Sequence, residues 1–199
     1  MPKPMTFCPN CGAPIEYKVP AGDDRKRNVC SETGEIFYEN PRNVVGCIVE
    51  QDDRILMCRR AIEPRLGFWT LPAGFLELGE TIFEGAARET REEAQAEVTD
   101  AELFTVIDVT HIGQVHIFYR ATLSGNHYGA GQESQFVTLL GEDEIEWSQL
   151  AFPTIHRALS HYFADRRRGR FDLHMDNLGA DDWRAMNLDR VANVETGSS

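Results

Sequence analysis

Short apolar runs separated by turn residues dominate the chain from Asn43 onward and predict a strand-rich domain with two helices. NVVGCIVE (43–50) and RILMCRR (54–60) flank Gln51-Asp52-Asp53, the pattern of an antiparallel pair closed by a tight turn. A strand is predicted near 68–71, then a glycine loop, then a helix over about 81–95. Strands follow at about 102–109, 114–122 and 135–140. Residues 151–166 return to helical spacing, with Ile155, Leu159, Tyr162 and Phe163 on one face. Beyond about Gly169 the pattern is polar and irregular, and 195–199 are expected to be mobile. Before the domain, residues 6–38 mix turn residues with short β-prone runs and predict two hairpins. The expected division is therefore 1–38, a small β module; 39–168, the main domain; and 169–199, an extension that is partly disordered.

Composition narrows this picture. With 199 residues, 42% of them hydrophobic, the chain can bury a core in one main domain plus an appendage. No run approaches the roughly 18 consecutive apolar residues of a membrane span, and Met1-Pro2-Lys3-Pro4-Met5 has no apolar signal region. A soluble, cytoplasmic protein is expected. The formal net charge of −12 disfavours nucleic acid and anionic membranes as partners. An anionic substrate then depends on local arginines or a bound cation. Five cysteines without a secretory signal argue against a disulfide framework.

The candidate chemistry is concentrated in GFLELGETIFEGAARETREEAQA, 74–96. Glu89, Glu92 and Glu93 stand at i, i+3 and i+4, so three carboxylates share one helix face within a turn. Hard divalent cations such as Mg²⁺ take carboxylates together with substrate phosphates. A solvated helix with pairs such as Arg88–Glu92 is the bland alternative. The preceding Trp69-Thr-Leu-Pro-Ala-Gly74, a strand running into a glycine turn before a helix start, decides against it.

Gly74, Glu80, Arg88, Glu89, Glu92 and Glu93 fall at the separations of the Nudix box, and the chain resembles Nudix hydrolases. Three positions depart from that pattern. Gln95 stands where the box has glycine, which predicts a helix that runs on or ends differently, and Thr90 and Ala96 are weak apolar substitutes. FCPNCG, VPAGDDRKRNVC, YENPRNVVGCIVE, CRRAIEPRLGFWTLPAGFLELGET, GQES and AFPTI extend the resemblance to the zinc-ribbon branch, similar to FAD and ADP-ribose pyrophosphatases. The resemblance implies an α/β/α sandwich with a mixed sheet after a small zinc-ribbon-like β module. It implies hydrolysis of nucleoside diphosphate-linked compounds by water activated with Mg²⁺ or Mn²⁺. It assigns Glu89, Glu92 and Glu93 as metal ligands, with Glu93 hardest to replace and the Ala73 carbonyl as an added ligand. Glu80 then orients Arg88 and the Gly74 loop. Glu133, in Gly131-Gln-Glu-Ser134, is the candidate general base, against the plain reading of an exposed loop acid.

For substrate, Arg59 and Arg60 end a strand on opposite faces, so one of them is expected to grip phosphate. Trp69 and Phe75 flank the glycine loop and are candidates to stack a ring, although Trp69 fits a core position equally well. His111 and Gln114 begin a strand and are candidates for a base edge, while packing is the default for His116, Phe118 and Tyr119.

Cys8-x2-Cys11-x18-Cys30-x2-Thr33 is a four-ligand zinc pattern with its last cysteine replaced. Zn²⁺ completed by Glu32, Asp23, Asp24 or water, a metal-free module held by packing, and a labile thiol cluster all remain open. Cys47 and Cys58 read as core residues.

The rival substrates are NADH and nucleoside triphosphates. NADH pyrophosphatases carry a proline- and tryptophan-rich stretch after the box, which 108–116 lack. The rival of another class is a noncatalytic nucleotide-sensing regulator, which usually loses box acids that this chain keeps. Arg166-Arg167-Arg168 reads as a helix C-terminus. A homodimer is expected by family analogy alone.

Overall fold

The computed structural model describes residues 5–184. They divide into two compact units between Pro41 and Arg42.

The first unit is a three-stranded antiparallel sheet, β1 (Ile15–Lys18), β2 (Arg27–Cys30) and β3 (Ile36–Phe37), in that order. The two expected hairpins share β2. Cys8, Ala13 and Cys30 form its small buried centre, with Ile15 and Phe37 against them.

In the second unit, β4 (Arg42–Gln51) and β5 (Arg54–Arg60) form the expected antiparallel pair, turned by Asp52 and Asp53 at positive φ. Next come β6 (Trp69–Thr70), β7 (Ala73–Phe75), helix α1 (Ile82–Ala94), and the long strands β8 (Val98–Val109) and β9 (Gln114–Leu123). β10 (Ser134–Leu140), helix α2 (Pro153–Arg168) and β11 (His174–Asn177) follow, and residues 180–184 turn helical again at the end of the described residues. The mixed sheet runs β10-β5-β4-β9-β8-β11, with β6 on β5 and β7 on β4. β4 and β9 are parallel at its middle, as are β8 and β11 at its edge.

Alternation along β4 divides the core. Val45, Cys47 and Val49 pack with Ala86 and Ala94 of α1, whereas Ile48 packs with Ile155, Leu159 and Phe163 of α2. Helices on both faces give the α/β sandwich. Burial pushes the Cys47 thiol up to about 11 and raises that of Cys58 further, as suits core cysteines.

Both helices have clear ends. Thr81 and Glu84 form a capping box at the start of α1. Gln95 ends it in the left-handed conformation (φ 48°, ψ 34°), so the helix stops where a glycine would stop it and does not run on. Its amide is anchored on the Ala130 carbonyl at 2.9 Å, a contact glycine cannot make. α2 begins with Pro153 at its first turn and ends at Gly169, with Arg166, Arg167 and Arg168 in the last turn, pairing with Asp53, Glu142 and Asp165.

The extension from 169 needs correction. Instead of an irregular tail, His174–Asn177 adds a parallel strand to β8, and Leu178 is fully buried. Polar pairs fix it to α2. Asp176 accepts from Arg157 (3.1 Å) and meets His161 Nε2 (2.5 Å), and His174 Nε2 meets the buried Asp165 at 2.8 Å. Attachment through polar pairs leaves no apolar period for sequence reading to detect. The disorder expected at 195–199 lies outside the described residues. No helix among the described residues is long and apolar enough to cross a membrane.

Candidate active site

β7 pairs with β4 and delivers the glycine loop to the side of α1. A Cβ on Gly74 would lie 2.3 Å from the Glu89 carboxylate, so only glycine lets the helix acid approach this backbone. Gly131 plays the matching part in the loop before β10. Its N–H donates to the Glu93 carbonyl at 3.0 Å, and a Cβ there would lie 1.7 Å from the Glu92 carbonyl.

Arg88 organises the acids. It forks onto Glu80, Nε to Oε2 at 3.0 Å and Nη2 to Oε1 at 2.8 Å. That pairing, with the Glu77 N–H next, holds the Glu80 carboxyl down at about 2. Nη1 of Arg88 then reaches Glu89 Oε1 at 2.7 Å and Glu92 Oε2 at 3.0 Å, while Nη2 also donates to the Phe75 carbonyl.

Glu93 is the most buried of the three helix acids, 6% exposed, and accepts from the Ala73 N–H at 3.1 Å. Burial pushes its carboxyl up to about 8; the Ala73 N–H opposes that shift and Glu89 adds to it. Burial also raises Glu89, with Arg88 opposing. Glu92 is the outermost, its side chain 59% exposed. The charge of Glu133 adds to the rise at both Glu89 and Glu93. The three helix acids therefore share a wall, but not as a closed nest of oxygens. Among the described residues the three cysteines alone form a set of three or more ligand atoms all within 4.8 Å of one another, and Arg88 holds Glu89 and Glu92.

These side chains line one cavity of about 1100 Å³ in the second unit. Glu89, Glu92, Glu93, Glu133, Ala73, Gly74, Arg88, Phe75 and Gln114 all contribute to its wall. So does Arg60, which is 8% exposed, donates to the Pro64 carbonyl at 2.9 Å and lies over the Phe152 ring. Two expected substrate contacts are absent from the wall. Arg59 points to the other face of β5, donating to the Gly67 carbonyl and lying over Trp69. Trp69 is a core residue, 8% exposed, because β6 turns it in among Ile48, Met57 and Leu150. Phe75 remains open, 44% exposed, under the Arg42 guanidinium.

Sequence reading missed Ile112, Phe152, Thr154, Ile155 and Trp183 in the wall. AFPTI had carried only a likeness, and its proline-led helix start was the available signal. Trp183 lay in the segment read as a tail.

In the first unit two knuckles share one backbone pattern. Cys8 N–H donates to Ala13 O and Gly12 N–H to Cys8 O; Cys30 N–H donates to Glu35 O and Gly34 N–H to Cys30 O. Thr33 thus occupies the place that Cys11 holds in the first knuckle. Cys11 and Cys30 sulfurs lie 3.5 Å apart. Thr33 donates its N–H to the Cys30 sulfur at 3.4 Å. Thr33 side-chain and backbone hydrogen bonds hold the Cys30 thiol down at about 6. Asp23 is committed elsewhere, to Arg27 at 2.8 Å and to the N–H groups of Asp24 and Arg25.

Comparison with known proteins agrees with this layout. A NUDIX domain model matches residues 40–197 and a Nudix N-terminal model, of the zinc-ribbon kind, matches 6–39. A NUDIX hydrolase crystal structure from Nitrosomonas europaea is similar over 88% of this chain and 99% of its own, at 43% identity and a TM-score of 0.85. A MutT-like protein of Streptomyces ambofaciens is 40% identical over 103 residues, 52% of this chain and 65% of its own length. An NAD-capped RNA hydrolase NudC of Edwardsiella ictaluri is 32% identical over 99 residues, 50% of this chain and 37% of its own. The chain thus spans less than two thirds of the length of either of these two relatives.

Proposed function

The chain belongs to the Nudix family, and from that footing we propose that it is a divalent-metal-dependent hydrolase of nucleoside diphosphate-linked compounds of the FAD or ADP-ribose type. The products are a nucleoside monophosphate and the phosphate ester of the attached group. One observation carries this reading: the acids of α1, Glu133 and the buried cation Arg60 face a single cavity of about 1100 Å³. That is roomy against the roughly 300–1,000 Å³ of common small-molecule sites, as a two-part substrate requires.

The donor set suits a hard cation. Burial raises the carboxyls of Glu93 and the half-buried Glu89; the charge of Glu89 adds to the rise at Glu93, and that of Glu92 to the rise at Glu89. Each of Glu89, Glu92 and Glu93 commits one oxygen to a hydrogen bond within the site. These residues, with the Ala73 carbonyl, would hold Mg²⁺ or Mn²⁺. Such an ion supplies charge neutralisation at phosphoryl oxygens and a lowered pKa for water.

The protein's own groups do the rest. Arg88, anchored by Glu80, keeps Glu89 and Glu92 in position. Arg60 pairs with a phosphate oxygen. Glu133 accepts the proton of the attacking water. In the first unit, Cys8, Cys11 and Cys30 would hold Zn²⁺ as a structural ion, with the fourth position outside the thiol set.

The test is an assay with Mg²⁺ or Mn²⁺ against FAD, ADP-ribose, NADH and nucleoside triphosphates. Release of AMP from FAD or ADP-ribose supports the proposal. Preference for NADH or for triphosphates moves the assignment to those rivals, and binding without hydrolysis across the panel favours a nucleotide-sensing regulator.

A further inference from the structure

Two side chains in the cavity wall carry a buried polar atom with no hydrogen-bond partner among the described residues, His116 at Nδ1 and Thr154 at Oγ1. Thr154 is fully buried and His116 is 7% exposed. An orphaned polar atom weakens a fold, so its retention points to a need outside the free protein's own hydrogen bonding.

The two residues come from different elements. His116 follows Gln114 on the same face of β9, and its Nε2 meets Gln114 Oε1 at 2.9 Å. With the amide oxygen toward the ring, Nε2 carries the proton and Nδ1 is a bare acceptor. Burial holds the imidazole down at about 4, so it is neutral at ordinary pH. Thr154 stands in the first turn of α2, where its hydroxyl is free to donate or accept. Ile112, Phe118, Phe152 and Ile155 give the same cavity apolar and aromatic lining, with Phe152 lying under the Arg60 guanidinium. The acids assigned to the diphosphate are carried instead by α1 and the loop before β10.

We propose that His116 and Thr154 form a specificity subsite that hydrogen-bonds a neutral nitrogen heterocycle of the substrate, with Gln114 setting the imidazole. An acceptor and a hydroxyl in an apolar wall match a planar ring with an N–H and a carbonyl or ring nitrogen. An ionised phosphate has no donor for the acceptor nitrogen, and apolar lining favours a planar ring over the hydroxyls of a bare sugar. The subsite rests on the diphosphate-hydrolase reading, and both nucleobases and flavins carry the chemistry it selects.

Calorimetric titration of the whole chain with AMP, FMN and ribose 5-phosphate, without added divalent ion, tests the subsite apart from turnover. Thr154→Val is expected to weaken AMP, FMN or both about fivefold, the size of one neutral hydrogen bond. Ribose 5-phosphate is expected to be unaffected, and Thr154→Ser to bind like the parent. His116→Gln should weaken the same ligands. Thr154→Val should also be at least as heat-stable as the parent, because the free protein loses no hydrogen bond. Which of AMP and FMN responds identifies the ring.

The subsite is overturned if neither AMP nor FMN binds the parent, or if Thr154→Val and His116→Gln leave both affinities unchanged. It is also overturned if Thr154→Val weakens ribose 5-phosphate equally or lowers the unfolding temperature. Hydrolysis of FAD and ADP-ribose by the parent, measured alongside, separates the two failures. Turnover with unaltered affinities sinks the subsite alone, whereas absent turnover sinks the hydrolase reading.

Discussion

Arg88 closes a two-pronged contact on Glu80, eight positions earlier, with Nε on one carboxylate oxygen and Nη2 on the other. The third nitrogen of the same guanidinium reaches both Glu89 and Glu92. One planar cation thus passes the position of the loop acid on to two helix acids. A lysine ammonium has no fork to do this. Arg88→Lys is expected to lower kcat by about tenfold or more, in the range seen when the support of a metal ligand is removed. Glu80→Gln should act in the same direction. Steady-state kinetics check both, and an unchanged kcat in Arg88→Lys would show that the tether is dispensable.

Glu93 combines burial with a hydrogen bond from the Ala73 N–H and faces the cavity from the same turn as Glu89. Glu93→Gln keeps the shape and removes the ability to carry negative charge. Folding should be preserved, because burial already pushes the native carboxyl up to about 8 and a neutral side chain suits the site near pH 7. Turnover should fall by about a hundredfold or more. Paired thermal melts and rate measurements check this, and near-parental turnover in a folded variant would remove Glu93 from the reaction.

Legibility in the sequence followed the kind of force involved. The β4–β5 hairpin and both helices were readable because their burial is apolar and periodic, as Val45/Cys47/Val49 against Ile48 illustrate. The α1 acids were readable because i, i+3 and i+4 spacing fixes a helix face wherever the helix goes. β11 was hidden because Asp176–Arg157 and His174–Asp165 attach it through polar pairs that look like surface composition. Trp69 and Arg59 were each left with two placements for a different reason. Which face of β5 and β6 meets the core is set by pairing across the sheet, and no local pattern encodes that choice. Gln95 shows a local rule met by unexpected means, a left-handed residue held through its own side chain.

His116 gives stability a pH dependence of definite sign. Its imidazole is held down at about 4 by burial, against about 6.5 in an unfolded chain. Above pH 6.5 neither state is protonated there and the residue contributes nothing to the slope. As pH falls from about 6.5 toward 4 the unfolded chain takes up a proton that the folded one excludes, so stability declines, by about 3 kcal/mol over the window. Carboxylates titrate at the acid end as well, so the comparison with His116→Gln isolates the histidine. Denaturant melts between pH 7 and 4 should show a shallower decline in the variant. Parallel curves would mean that His116 is protonated in the fold.

Thr33 sits where knuckle geometry repeats that of Cys11, within hydrogen-bond reach of the Cys30 sulfur. A hydroxyl at that point is not acidic enough to serve as a thiolate does, whereas three sulfurs already lie within 4.8 Å of one another. Protein purified without chelator is therefore expected to carry about one zinc per chain on these three thiols. Thr33→Cys completes a tetrahedral set on an unchanged backbone, so zinc should leave more slowly to a chelator, and the first unit should resist unfolding longer. A module of this size has little core of its own, here Cys8, Ala13 and Cys30, so metal removal should cost it more order than it costs the second unit. Elemental analysis and chelator-release kinetics of the two proteins check this. Absence of zinc from the parent together with tight binding by Thr33→Cys would assign the native module to packing alone, with the metal site restored only by the fourth sulfur.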